Sequence, residues 1–164
     1  MIREISAGGV VLRKKDGGWW IAAIEPADPT RVVNTTKSST RGKPKTVLCL
    51  PKGLVDSGEK ALEAALREIR EETGVTAQPI TKLADIKYVY VRAWGDRQRV
   101  FKIVSFYLFL YQSGSIDAIS DEMRIEVAEA KWIPLEDAPK LLAYRGEKQM
   151  ARKALEYVAT HPEL

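Results

Sequence analysis

Apolar positions change their spacing several times along the chain, and each change marks an element. Residues 4–13 form an apolar-rich run, Asp16-Gly17-Gly18 marks a turn, and Trp19 to Ile24 resumes β-type residues. The pattern predicts two strands joined by a short hairpin. Residues 26–46 change character: Pro26, Pro29 and Pro44 punctuate a Thr/Ser-rich stretch, which reads as a long surface loop. A short apolar strand, Val47–Leu50, follows. Leu62, Ala65, Leu66 and Ile69 then recur at helical spacing and predict one apolar helix face. Ser57 is placed to cap the start of that helix, and Gly74 to close it in a left-handed conformation that carries no Cβ penalty. Ile80–Ala93 and Val100–Tyr111 are two further β-rich runs about a Trp94-Gly95-Asp96 turn. Residues 113–120 read as a loop, and Trp132-Ile133-Pro134-Leu135 as a last strand. Leu135–Ala143 and Glu147–Ala159 read as helices, the second with Met150, Ala154, Leu155 and Val158 along one stripe. By pattern alone the chain is a mixture of α and β.

The polar positions add chemistry to one of these elements. Glu68, Glu71 and Glu72 lie three and four apart, so they form a narrow acidic stripe beside the apolar face of the first helix. Like charges at that spacing repel, and a cation on the stripe would relieve them. Hard divalent cations take such oxygen ligands, and magnesium is typically shared between carboxylates, water and phosphate. The other reading is a solvated face balanced by Arg67 and Arg70.

The wider spacing favours the cation. Gly53, Glu59, Arg67-Glu68, Glu71-Glu72 and Gly74 stand in the sequence GLVDSGEKALEAALREIREETGV, residues 53–75. This stretch resembles the signature box of the Nudix hydrolases at every fixed position. The resemblance implies an α/β/α sandwich on a mixed sheet, over a single domain of residues 1–164. It also implies a site that binds Mg2+, with Mn2+ as the other candidate, and cleaves a diphosphate linkage. By position, Glu68, Glu71 and Glu72 are the implied metal ligands, with the Gly53 carbonyl beside them. Glu59 and Arg67 are an implied structural pair. Acidic residues ahead of the last-strand tryptophan often supply a further ligand or general base in this family. Glu126 is the first choice here, with Glu129 and Glu122 behind it.

Other positions bear on the substrate. Pro51-Lys52-Gly53 resembles the entry to the box in the diadenosine polyphosphate branch of the family. Lys52 is then either a phosphate contact or a solvated lysine. Tyr88 and Tyr90, downstream of the box, resemble tyrosines that stack on a substrate base in that branch, and Lys102 resembles a phosphate-binding lysine. Tyr144 and Arg145 lie where some members hold bases. Ser6-Ala7-Gly8-Gly9 reads either as a close approach of substrate to backbone or as a β-bulge. The loop 26–46 carries Arg31, Lys37, Arg41, Lys43 and Lys45 with no acid after Asp28, and is a candidate to reach substrate phosphates.

Composition then removes alternatives. With one cysteine, Cys49, no intramolecular disulfide can form, and its apolar neighbours make it a buried thiol. The one histidine, His161, leaves no histidine-rich zinc site and no Ser-His-Asp machinery. No apolar run approaches the 18 or so residues a membrane helix needs, and a cytoplasmic protein is expected. The net charge of +4 favours anionic partners without singling out nucleic acid. The expected partner is a nucleotide polyphosphate, most of all a dinucleoside polyphosphate such as diadenosine tetraphosphate, acting on a monomer or homodimer. Oxidised nucleoside triphosphates, inositol pyrophosphates and RNA 5′-triphosphate ends are the competing substrates. A non-catalytic nucleotide-sensing module is the competing class.

Overall fold

The computed structural model describes residues 2–28, 46–92, 95 and 97–164. Strand β1 spans Ile2–Lys15 and β2 spans Gly18–Pro26. They pair antiparallel through Lys15↔Gly18, with Asp16 and Gly17 at φ 53° and 77° as the two-residue turn. Both positive φ values suit the right-handed twist of a tight hairpin. Strand β3, Lys52–Leu54, lies against the middle of β1, and helix α1 covers Ala61–Thr73. Strands β4 (Val75–Val91) and β5 (Arg99–Gly114) form a long antiparallel pair. A 3-10 turn, Met123–Ile125, leads into β6, Val127–Pro134. The chain closes with the short helix α2, Ala138–Leu141, and the long helix α3, Arg145–Thr160.

The sheet order is β4-β5-β1-β2-β6, with β3 beside β2 on the same edge of β1. β1 and β5 run parallel from Ile2↔Val100 to Leu12↔Leu110, while the other pairs are antiparallel, so the sheet is mixed. Its central strand is buried on both faces, since alternate residues point opposite ways. Val10 and Leu12 pack with Phe106, Leu108 and Met150 under α3. Ala7 and Val11 pack with Phe109, Ala65 and Ile69 under α1. Helices on both faces of a mixed sheet make the α/β/α sandwich. Each of the large core side chains, such as Phe106 and Phe109, contributes roughly 1.5–3 kcal/mol by leaving water.

Several expected boundaries move for physical reasons. Ser57 does not cap α1: Gly58 turns at φ 80°, and the helix opens at Lys60 without a side-chain cap. Gly74 does close it, at φ 81°, with its N–H on the Arg70 carbonyl. Val47–Leu50 is not a full strand but an extended segment bridged at Ile24↔Cys49 and Leu48↔Leu142. The expected helix Leu135–Ala143 shrinks to Ala138–Leu141, because Leu142 returns to extended backbone and bridges Leu48. Ser6-Ala7-Gly8-Gly9 neither bulges nor bares its backbone to substrate. Its pairing with β5 is continuous, and a Cβ on Gly8 would stand 2.1 Å from the Pro51 carbonyl oxygen. The small residues there let the entry of the box close on β1. Of the basic stretch 26–46, residues 29–45 lie outside the described residues, as do Trp94 and Asp96 of the expected turn.

Candidate active site

Of the three glutamates in the second half of helix α1, two face inward and one outward. Glu68 and Glu72 are 9% and 6% exposed, whereas the Glu71 side chain is 43% exposed. Burial pushes the Glu72 carboxyl well above the ordinary carboxylate range, and the Glu68 charge adds to it. Burial likewise raises Glu68, against a hydrogen bond from Arg67. Glu126, just past the 3-10 turn, sits close enough that its charge raises both. Glu72 Oε1 accepts the Lys52 main-chain N–H at 2.9 Å. The Gly53 backbone lies directly on Glu68: a Cβ there would fall 2.1 Å from the carboxyl carbon and 2.3 Å from each oxygen. Any side chain at that position would displace the carboxylate.

Arg67 ties the helix to its leading loop. Its Nε and Nη2 donate to Glu59 at 2.9 and 3.0 Å, Nη2 also to the Leu54 carbonyl at 3.0 Å, and Nη1 to Glu68 and Glu71 at 2.9 and 3.2 Å. The bond from Arg67 holds the Glu59 carboxyl down at about 2. A depressed carboxyl stabilises the fold above its ordinary pKa of 4.5, and the contribution fades as pH falls towards 2. Arg67→Ala is therefore expected to lower the melting temperature by several degrees at neutral pH. That deficit should narrow in acid melts below about pH 3, where the wild type has begun to lose the pair.

The donor set tests whether a cation belongs here. Buried carboxylates and a main-chain carbonyl are the oxygen ligands a hard divalent ion takes. Glu72, buried and raised by a like charge, accepts a hydrogen bond from a neutral main-chain N–H. As the side chains stand, among the described residues no three acidic, histidine or cysteine groups are gathered tightly enough to cage an ion. Arg67 partly neutralises Glu68 and Glu71 instead. The residues fit the ion in chemistry and in the burial of Glu68 and Glu72, though their carboxylates are not gathered about one point.

A cavity of about 320 Å³ opens here, with Glu72, Glu126, Lys52, Cys49 and Tyr144 in its lining. Lys52 is neither a free phosphate contact nor a solvated lysine. Its Nζ donates to Glu147 Oε2 at 2.7 Å and stands 5.4 Å from the Tyr144 ring centre. Burial opposes its charge, yet attraction to Glu147 outweighs that and holds the ammonium above its ordinary range. Cys49 is buried, and burial raises its thiol to about 12, so it stays protonated and unreactive at neutral pH.

The remaining sequence candidates gather on the α3 side of the sheet. Tyr88, Lys102 and Glu4 are register neighbours across β4, β5 and β1, so their side chains share a face. Burial and then the Lys52 charge depress Lys102, whose ion pair with Glu4 is long, at 3.8 Å. Tyr90 donates its hydroxyl to Glu4 at 2.9 Å, which occupies it within the fold. Tyr88 lies against Tyr90 with ring centres 6.2 Å apart. Glu129 pairs with Lys131 at 3.5 Å, and Glu122 is exposed. Sequence reasoning missed Glu147. The signal was available: it begins the stripe Glu147, Met150, Ala151, Ala154, a charge where an apolar residue is expected.

Comparison with known proteins bears on the whole chain. Residues 11–154 match the family model of the NUDIX domain. The MutT4 protein of Mycobacterium tuberculosis is 35% identical over 157 residues, which cover 96% of this chain and 56% of MutT4. The asymmetrical bis(5′-nucleosyl)-tetraphosphatase of Mus musculus is 30% identical over 68% of this chain and 72% of its own length. A solved complex of the C. elegans Ap4A hydrolase superposes with a TM-score of 0.62 at 23% identity. It covers 95% of this chain and 98% of that one.

Proposed function

The chain belongs to the NUDIX domain family, and on that premise we propose that it is a pyrophosphohydrolase that cleaves dinucleoside polyphosphates with the aid of Mg2+. The observation that carries the proposal is one cavity lined by buried Glu72, exposed Glu126 and the Tyr144 ring. The carboxylates suit a cation and water, and the ring suits a base. Glu68, Glu71, Glu72 and the Gly53 carbonyl would hold the ion. When bound, it neutralises phosphate oxygens and acidifies a coordinated water.

The chain's own groups do the rest. Glu126 accepts a proton from the attacking water. The new P–O bond forms as the anhydride P–O bond breaks, and the leaving phosphate departs as an anion. Lys102, depressed by burial and by Lys52, gains most from a phosphate placed over it. Tyr88, 38% exposed and beside Tyr90, offers its ring to a base. The mouse tetraphosphatase, matched over 72% of its length, supports this choice of substrate.

A hydrolysis panel with Mg2+ tests the reading. It holds diadenosine tetraphosphate, ADP-ribose, 8-oxo-dGTP, an inositol pyrophosphate and triphosphorylated RNA, with products identified by mass. The expected result is fastest turnover of diadenosine tetraphosphate to ATP and AMP. In the same assay Tyr88→Ala should raise KM about tenfold, near the lower end of what stacking on one base is worth. Preference for another compound would replace the substrate and keep the reaction class. No turnover of any of them would overturn both.

A further inference from the structure

The segment entering the box, Leu48–Lys52, has its main chain pinned at successive residues. The Leu48 carbonyl accepts from Ala143, Cys49 exchanges both bonds with Ile24, and the Pro51 carbonyl accepts from Gly9. Leu50 departs from this pattern. Its N–H turns away from the sheet and donates to Glu147 Oε1 at 2.6 Å, across 97 residues of sequence. The other oxygen of the same carboxylate takes the Lys52 ammonium at 2.7 Å. Two residues on from Leu50, the Lys52 N–H holds Glu72. One buried carboxylate in the first turn of α3 thus fixes both ends of the three-residue piece that carries the Glu72 donor.

Stability is a poor reason for a glutamate at this position. Glu147 is 2% exposed and shares its stripe with Met150, Ala151 and Ala154. Removing a Lys–Glu pair from water offsets most of its attraction, and apolar side chains of similar size often serve a core as well or better. A carboxylate here does what an apolar residue cannot: it accepts two bonds at once in fixed directions. We propose that Glu147 is a positioning residue of the hydrolytic centre. From α3 it sets the Leu50–Lys52 backbone, so that the Lys52 N–H aims Glu72 and the adjoining Gly53 meets Glu68. It also parks the Lys52 ammonium away from the place of the cation. The inference rests on the reading of Glu72 as a cation ligand.

The test is Glu147→Gln, which keeps an acceptor for Leu50 N–H but sets an uncharged amide against Lys52. The measurements are kcat and KM on the best panel substrate, Mn2+ affinity of the substrate-free protein by water-proton relaxation, and melting temperature. Groups that orient metal ligands typically cost roughly 10–100-fold in metal affinity or activity when replaced. The expected result is a loss of that size in kcat and about tenfold weaker Mn2+ binding. KM should stay within about threefold and the melting temperature within a few degrees. Lys52→Met should behave like Glu147→Gln and add little when combined with it. Unchanged kcat and Mn2+ affinity in Glu147→Gln would overturn the proposal, as would losses that merely follow a fall in melting temperature. Should the wild type hydrolyse nothing, the proposed function fails, and the Mn2+ measurement still decides the part played by Glu147.

Discussion

Glu72→Gln is expected to lower kcat by on the order of 10³-fold or more, a loss of roughly 4 kcal/mol of transition-state stabilisation, and to make the metal-free protein more stable. The two effects share one cause. The Glu72 carboxylate is buried, faces the charge of Glu68, and is held by the neutral Lys52 N–H. Its folded-state pKa is raised, so in the metal-free protein it lowers stability as pH climbs from its ordinary 4.5. Glutamine keeps an acceptor for Lys52 N–H and removes the charge. Metal-free wild type should therefore melt lower at pH 7 than at pH 5 relative to the variant. At pH 7 the variant should melt a few degrees higher, as about 1 kcal/mol gives in a domain of this size. Adding Mg2+ should raise the wild type and leave the variant nearly unmoved. A variant that kept both turnover and the Mg2+-dependent rise would remove Glu72 from the centre.

Glu126→Gln carries the second large effect, a fall in kcat of roughly 10²–10⁴-fold, the range for losing a general base. Glu126 follows a 3-10 turn anchored by its own N–H on the Met123 carbonyl, and its carbonyl accepts from Ala27 at the end of β2. Its backbone is fixed while its side chain stays in the cavity with Glu72. The loss should fall on kcat with KM little changed, because the group acts on water and not on the substrate. Glu129→Gln is the control. That residue is paired with Lys131 on β6, and its variant should keep near-normal turnover. Reversal of the two results would hand the base to Glu129.

Elements whose pattern answered to local rules could be read from the sequence. The Asp16-Gly17 hairpin, the Gly74 cap and the apolar face of α1 each follow from turn chemistry or periodicity within a few residues. Features set by distant partners could not be read. Strand β4 begins at Val75, earlier than its composition indicates, because three shifts in register against β5 break the alternation between Thr76 and Ala84. The α2 helix ends where Leu142 bridges Leu48. In the site, the box spacing located the carboxylates. The Lys52–Glu147 bond, between residues far apart in sequence, left only one trace, a glutamate in an apolar stripe. Lys52 therefore looked like a choice between phosphate and solvent when its partner was a buried carboxylate.

The parallel pairing of β1 with β5 also sets a timetable. Ile2 pairs with Val100, so the first strand made must wait for the hundredth residue before its second edge is covered. At roughly 5–20 residues per second, synthesis leaves that edge bare for something like 5–20 s. The hairpin to β2 can close within microseconds, but it covers only Leu12–Lys15 of the other edge. The apolar Ala7–Leu12 run, buried in the finished fold, still lacks its β5 neighbour for the whole interval, when exposed apolar surface favours aggregation. The box helix can coil early, but its entry segment acquires Glu147 only after α3 has left the ribosome. On the proposed roles of Glu72 and Glu147, competence to bind an ion would arrive late, after the sheet is complete.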